Sequence, residues 1–389
     1  MESAGLVTLA KRGEARVLRG HPWIFRSDVA RAENVEPGGV PRVQGPQGRP
    51  LGFAFYSSRS EITLRMIERG EQLSPSFLED KLEAALRWRE TVAGGASACR
   101  LVHAEGDGLP SLVVDRYGDH LVVQTLSQAT ERLKDELVRI LARRLEPRGI
   151  LERNDPRVRL LEGLDQRVGL LHGEVPETVV IDEGGVAFEA DLWRGQKTGL
   201  FLDQRENHLA ARSYARGRVL DGFTYNGGFA LHLAKAASEV VAVDVSAEAV
   251  ERTRRNAERN GLANVSVRDA NVFDLLREMD DRDEVFDTVV LDPPAFAKSK
   301  DAVEKARRGY KEINLRALKI LAPGGCLVTC SCSQHVHEGD LEQILTAAAL
   351  DAGVTATIVE KRRQGRDHPV VLGVPETYYL KCFVLRRLA

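Results

Sequence analysis

The chain is poor in cysteine: five in 389 residues, an odd number, with Cys326, Cys330 and Cys332 inside one seven-residue stretch. Such spacing does not build a disulfide framework and predicts a protein of a reducing, cytoplasmic compartment. No run of eighteen apolar residues occurs, and the opening M-E-S-A-G-L-V-T-L-A-K-R carries Glu2 and no apolar signal-peptide core. The expectation is a chain neither membrane-spanning nor secreted. Charge of one sign is missing too: 55 basic against 57 acidic side chains leave a net charge of -2. That excludes a protein that coats nucleic acid through bulk charge. Low-complexity tracts and Cys or His pairs with zinc-finger spacing are absent from the sequence, so neither disorder nor a bound metal is expected.

What is present is ordinary for a folded protein, with 43% hydrophobic residues and length for two or three domains at roughly 100 to 200 residues each. Charge is unevenly spread. Residues 1–70 hold eleven Lys or Arg against seven acids, +4, which leaves -6 for the remainder. The N-terminal region is therefore a candidate for an anionic partner, beside the plainer reading of a solvated basic surface.

Residues 1–70 read as short apolar runs broken by Gly and Pro, the pattern of a small barrel or sandwich. Residues 71–184 form a second unit. Phe77, Leu78, Lys81, Leu82, Ala85, Leu86 and Trp88 are spaced for an amphipathic helix that Gly94-Gly95 ends, and strand-like runs, a helix over Glu131 to Leu145 and short strands near Gly149 and Val179 follow. This is an α+β module. Residues 185–389 alternate strand, turn and helix, as in a mostly parallel sheet covered by helices. Seven strands are expected, starting near Val219, Val240, Val265, Thr288, Cys326, Val354 and Leu380. The last two lack an intervening helix, so the final strand should be antiparallel, at the edge of the sheet.

Candidate site residues gather where these strands end. D-G-F-T-Y-N-G-G-F follows the first strand and offers Asp221, Phe223, Tyr225, Asn226 and Gly227 for a ligand approached closely by backbone. The full dinucleotide fingerprint G-x-G-x-x-G is not there. Asp244 ends the second strand, where a carboxylate accepts ribose hydroxyls or, alternatively, caps a helix. Asp269 and Asn271 follow the third and suit an adenine amino group. Asp292-Pro293-Pro294-Ala295-Phe296 follows the fourth, and consecutive prolines hold a rigid loop beside the carboxylate. This loop resembles the one with which adenosylmethionine-dependent methyltransferases position a planar base.

The fifth strand delivers C-L-V-T-C-S-C-S to the same edge. Cys330 and Cys332 share parity and would face one way in a strand, whereas Cys326 reads as packing. A thiol answers a chemical need: carbon 5 of cytosine is a poor nucleophile until a thiolate adds to carbon 6. Cys332 is the candidate nucleophile and Cys330 its competitor. Asp292 would bind the amino edge of a flipped base and stabilise charge at the ring nitrogen.

Together G-H-P-W-I-F (Gly20 to Phe25), G-Q-K-T-G-L-F-L-D-Q-R (Gly195 to Arg205), D-x-F-x-Y-x-G-G-F, D-P-P-x-F, S-C-S, D-H-P-V and Y-L-K resemble the bacterial large-subunit (23S) ribosomal RNA cytosine-5 methyltransferase I family. The resemblance implies an α/β class I, Rossmann-like methyltransferase domain with S-adenosylmethionine as cofactor, preceded by a small β-barrel PUA domain that binds RNA and a central α+β domain. It implies 5-methylcytosine as product and 23S ribosomal RNA or an assembling large subunit as partner, with a homodimer left open. Residue by residue, it implies Cys332 as nucleophile and Phe201, Asp203 and Arg205 at the methionine end of the cofactor. Pro293, Pro294, Phe296, Lys298, Arg363, Asp367 and His368 fall to the substrate, with Asp367 and His368 also candidates for the base that releases the product. Lys361, Arg362, Arg363 and Arg366 are expected in an RNA-binding loop between the last two strands. Three alternatives stand beside this reading: an RNA methyltransferase acting on an exocyclic base nitrogen, a dinucleotide oxidoreductase, and an inactive RNA-binding assembly factor.

Overall fold

The computed structural model describes residues 5–296 and 302–388 and resolves two units. The first comprises the chain up to Ile181 together with Ala190–Leu202 and Arg366–Thr377. Its N-terminal strands form a six-stranded sheet in the order Trp23–Phe25, Ile62–Glu68, Pro50–Tyr56, Arg42–Gln44, Leu6–Leu9, Val29–Glu33. A helix at Lys11–Leu18, not expected from the sequence, precedes the second strand; its buried face is only Gly13 and Val17, too narrow to give an apolar period. Gly13 is required there, since a Cβ would lie 2.8 Å from the Asp28 carbonyl oxygen.

A five-stranded sheet follows, ordered Arg167–Gly173, Gly149–Asn154, His120–Thr125, Leu112–Tyr117, Ala98–His103. The helix at Phe77–Ala93 buries Phe77, Leu78, Leu82, Ala85 and Leu86 as their spacing expects, while Trp88 is exposed. The helix expected over Glu131 to Leu145 starts earlier and breaks in two, Gln128–Arg132 and Lys134–Leu145, because Ser127 and Thr130 form a capping box that opens a separate short turn. Phe53 and Phe55 of the first sheet share one core with Phe77, Leu82, Val114 and Leu141.

The second unit is built on seven strands: Arg218–Gly222, Glu239–Asp244, Val265–Asp269, Phe286–Leu291, Leu321–Ser331, Ala356–Arg363 and Lys381–Arg387. In space their order is 3-2-1-4-5-7-6. The first five run parallel and the last is antiparallel to both neighbours. Strands such as V-V-A-V are apolar on both faces because helices cover both. Leu220, Val241 and Leu291 pack with Ile313 and Leu345 on one side; Val219, Ala242 and Val290 pack with Phe229 and Leu233 on the other. Helices at Arg205–Ala211 and Val272–Asp281 join those read from the sequence.

Two expectations need correction. The final strand is not the edge: it inserts between Leu321–Ser331 and Ala356–Arg363, and the latter is outermost. Lys361, Arg362 and Arg363 are not in a loop, since the strand runs on to Arg363, paired with Lys381. Their charges are partly spent within the unit, Lys361 on Glu338 and Glu342 and Arg362 on Glu360. Among the described residues no helix is long and apolar enough to cross a membrane.

Candidate active site

Parallel strands put their carboxyl ends on one edge, and the order 3-2-1-4 makes the gap between the first and fourth strands the place where the chain reverses its direction of winding. Ligands of open α/β sheets bind at that switch point. Asp221 and Asp292 end these two strands. Asp221 is 1% exposed. Its Oδ2 accepts from the Thr224 hydroxyl (2.6 Å) and the Ala230 amide (2.9 Å), while its Oδ1 has no hydrogen-bond partner among the described residues. Burial, with the Asp292 charge adding to it, raises its carboxyl to about 7.

The turn that follows is strained. Phe223 and Tyr225 have φ of 68° and 53°, rare for aromatic residues, and Gly227 has 88°. Bonds from its neighbours hold it: the Tyr225 amide donates to Asp244 (2.9 Å), Arg252 to the Tyr225 hydroxyl (3.2 Å), and Asn256 to the Asn226 carbonyl (3.1 Å). Asp244 accepts also from the Ser246 amide, and Ser246, not Asp244, caps the next helix. Asp269 lies exposed in register with Asp244. Asn271 caps the helix Val272–Asp281 through the Phe273 amide, so part of its bonding capacity is structural.

Asp203 accepts from the Tyr379 hydroxyl (2.8 Å), which joins the G-Q-K-T-G-L-F-L-D-Q-R segment to Y-L-K. Arg205 is buried, 3.9 Å from Glu206. Phe201, Asp367 and His368 belong to the first unit. There Phe201 lies under Lys197 (4.4 Å), and Asp367 accepts from the Arg100 amide (3.0 Å) and meets His368 (3.0 Å).

The fifth strand ends at Ser331, so the parity argument for the two cysteines fails at the residue that matters. Cys330 is inside the strand, fully buried against Cys382, and burial pushes its thiol well up. Cys332 has left the strand and is partly exposed. Its Sγ lies 3.9 Å from the Pro293 carbonyl oxygen, in the Asp-Pro-Pro loop. In that loop Pro293 is buried and Pro294 exposed, while Phe296 packs between Phe273 (5.7 Å) and Tyr310 (4.6 Å). Lys298 lies outside the described residues.

Three features have no role assigned in the sequence reading. Gln204 donates to Asp292 Oδ2 (2.9 Å) and so orients that carboxylate. Glu183 is buried with His208 Nδ1 at 2.7 Å and His232 Nε2 at 3.0 Å. Arg212 donates to His232 Nδ1 (2.9 Å), which puts the neutral ring's proton on Nε2, facing Glu183. These three side chains are near enough to share a metal ion, but an ion would have to displace the protons that now join them. Burial works against the charge on His208, yet Glu183 overrides it and raises the imidazole. The ring packs on Gly228, where a Cβ would stand 2.6 Å from it. Lys381 is the third feature, buried next to the end of the fifth strand.

Comparison with known proteins agrees with this geometry. Residues 158–372 match the family model of S-adenosylmethionine-dependent methyltransferases, and residues 7–69 match a PUA-like domain. The ribosomal RNA large subunit methyltransferase I of Photobacterium profundum is 42% identical over 388 residues, covering 97% of this chain and 98% of its own. That of Aeromonas salmonicida is 42% identical over 391 residues, covering 98% of each. The chain belongs to the ribosomal RNA large subunit methyltransferase I family. The crystal structure of SMU.776 complexed with SAH shares the fold, with a TM-score of 0.84 at 21% identity over 98% of this chain and 99% of that one.

S-adenosylmethionine is the cofactor of this methyltransferase. The strained turn and the unpartnered, buried Asp221 Oδ1 fit such a ligand, because a buried acceptor left without a donor is costly until a ligand supplies one.

Proposed function

We propose that this methyltransferase methylates carbon 5 of a cytosine in 23S ribosomal RNA through a covalent Cys332 adduct. The observation that carries the reading is the position of Cys332: partly exposed, past the strand end, with Sγ against the loop that begins at Asp292. An N-methyltransferase has no use for a thiol there.

Bound S-adenosylmethionine supplies an electrophilic methyl group. Asp221, the Phe223–Gly227 turn and Asp244 would hold it, with Asp203, Arg205, Asp269 and Asn271 around it. The Cys332 thiolate adds to carbon 6 of the flipped base, and the ring becomes nucleophilic at carbon 5. Asp292, oriented by Gln204, binds the amino edge of the base. After methyl transfer the carbon 5 proton leaves to base, the sulfur-carbon bond breaks, and the ring regains its double bond. Pro293 and Pro294 keep the loop rigid while this occurs. RNA contact is supported in the N-terminal region by Lys11, Arg19, Arg42, Arg49 and Arg59. All are exposed, with no carboxylate within 4.0 Å among the described residues, and phosphate contacts of this kind set register rather than sequence.

The test uses 23S ribosomal RNA from cells lacking the protein, methylated in vitro and mapped for 5-methylcytosine. Wild type should modify a cytosine and form a denaturant-stable complex with RNA containing 5-fluorocytosine. Methyl transfer that survives Cys332→Ala, with product on an exocyclic nitrogen, would overturn the reading.

A further inference from the structure

Lys381 is 1% exposed. Buried ammonium groups are rare unless paired with a carboxylate, and none lies within 4.0 Å of this one among the described residues. Its Nζ donates to two carbonyls, Ser333 (2.8 Å) and Tyr379 (2.9 Å). An ammonium has three donors, and the third has no hydrogen-bond partner among the described residues. The backbone register explains how it came there: Lys381 pairs with Ser331 across the fifth and last strands, and its side chain reaches over to Ser333. The residue bracketed by those two contacts is Cys332.

We propose that Lys381 is a positioning residue whose buried positive charge stands behind Cys332 and stabilises its thiolate. This rests on the reading of Cys332 as nucleophile. The thiol proton leaves to solvent and no bond forms to Lys381. The thiolate charge passes into the ring on addition, and the sulfur recovers its electron pair against the same ammonium when the adduct breaks. Such a charge lowers a thiol's pKa and improves it as a leaving group.

The surrounding charges fit this balance. Burial pushes the Lys381 ammonium down to about 8, against the opposing pull of Cys332 and Asp340, so it remains charged at neutral pH. Asp340 is shared with Arg307 (2.7 Å). Tyr310 also faces Cys332; burial raises its phenol, as does the Cys332 charge, and its hydroxyl meets Ser333 Oγ (3.0 Å). Asp292, next to Pro293, works against the thiolate, which makes a local cation the more necessary.

The experiment follows iodoacetamide alkylation of Cys332 in the full-length protein from pH 5.5 to about 9.5, a range that brackets an ordinary thiol near 8.5. The other four cysteines are buried, and the peptide carrying Cys332 is read by mass. The wild-type midpoint should lie below about 8.5; a midpoint at or above that value overturns the proposal without any variant. In Lys381→Met the midpoint should rise by about one unit and alkylation at pH 7 slow about tenfold, while Lys381→Arg should keep most of the wild-type rate. A folded Lys381→Met protein that binds S-adenosylmethionine with an unchanged midpoint also overturns it. The two readings part cleanly: Cys332→Ala enzyme that still methylates RNA removes the nucleophile whatever the midpoint, whereas Cys332-dependent methylation with an unmoved midpoint removes only Lys381.

Discussion

Apart from the Glu183–His208–His232 cluster of the second unit, the two units bury charge in opposite ways. In the first, cations with little exposure meet carboxylates with as little: Arg65 with Glu162 (2.8 Å), Arg89 with Asp107 (2.6 Å), Arg100 with Asp115 (2.8 Å), and Lys134 with Glu152 (3.0 Å). In the second, around the carboxyl edge of the seven-stranded sheet, Asp221 keeps an unpartnered oxygen and Lys381 bonds two carbonyls, with no carboxylate within 4.0 Å among the described residues. Desolvating an ion is expensive, and in the first unit a partner offsets that cost. In the second the cost is left standing at the places where a ligand or a reacting atom would complete the balance.

Changes at the nucleophile should have the largest effect. Cys332→Ala should lower methyl transfer by more than about a thousandfold, since removing a covalent nucleophile cannot be made good by the groups that remain. Cys330→Ala should leave the rate within a few-fold of wild type. Radiolabel transfer to unmodified 23S ribosomal RNA measures both, and equal losses in the two variants would erase the distinction between strand interior and strand end.

Breaking a pair in the first unit comes next. Arg65→Met strands Glu162, which Ser57 and Gln128 also bond, and should cost about 3 to 5 kcal/mol. Adding Glu162→Leu should recover much of it. Thermal unfolding of the single and double variants decides whether the pair is structural, as the comparison requires.

Much of this was legible in the chain, and the failures have physical reasons. Apolar strands ending in Asp221, Asp244, Asp269 and Asp292 mark a parallel sheet and its carboxyl edge, because side-chain period and turn chemistry are local. The separation of Cys330 from Cys332 was not legible by parity, since alternation stops where the strand stops, one residue before Cys332. Lys361 to Arg363 read as a loop because charge suggests exposure, but pairing with the final strand, a nonlocal contact, holds them extended. Glu183, His208 and His232 are spread over 49 residues and carry no motif; only the fold collects them. Lys381 was singled out only as part of a family pattern, and its unpaired burial has no signature in sequence.

Asp221 gives a pH test of the second unit. Its folded pKa, raised to about 7, stands well above the ordinary range of an aspartate, so the ligand-free protein holds this share of stability at low pH and loses it as pH rises toward and through 7. Between pH 5 and 8 the loss should be up to about 3 kcal/mol. Asp221→Asn should remove that slope while leaving the share of His208, which falls in the same direction because its imidazole is also raised. Urea unfolding across this range checks both. An identical slope in Asp221→Asn would mean that the carboxylate is already stabilised without the cofactor, and the contrast between the units would lose its clearest member.

The smallest effect separates two roles at one residue. Asn271 accepts the Phe273 amide as a helix cap, and its remaining donors are the ones proposed for the adenine. Asn271→Ala should cost about 1 kcal/mol of stability through the lost cap. Asn271→Asp keeps the cap and reverses the chemistry of the amide nitrogen, so its stability should match wild type. If the side chain only caps, S-adenosylmethionine affinity by calorimetry should follow stability, unchanged in Asn271→Asp and little changed in Asn271→Ala. If it also reads the base, affinity should fall in both. A weakened Asn271→Asp protein of wild-type stability would therefore extend the set of groups that wait for the cofactor from the first strand end to the third.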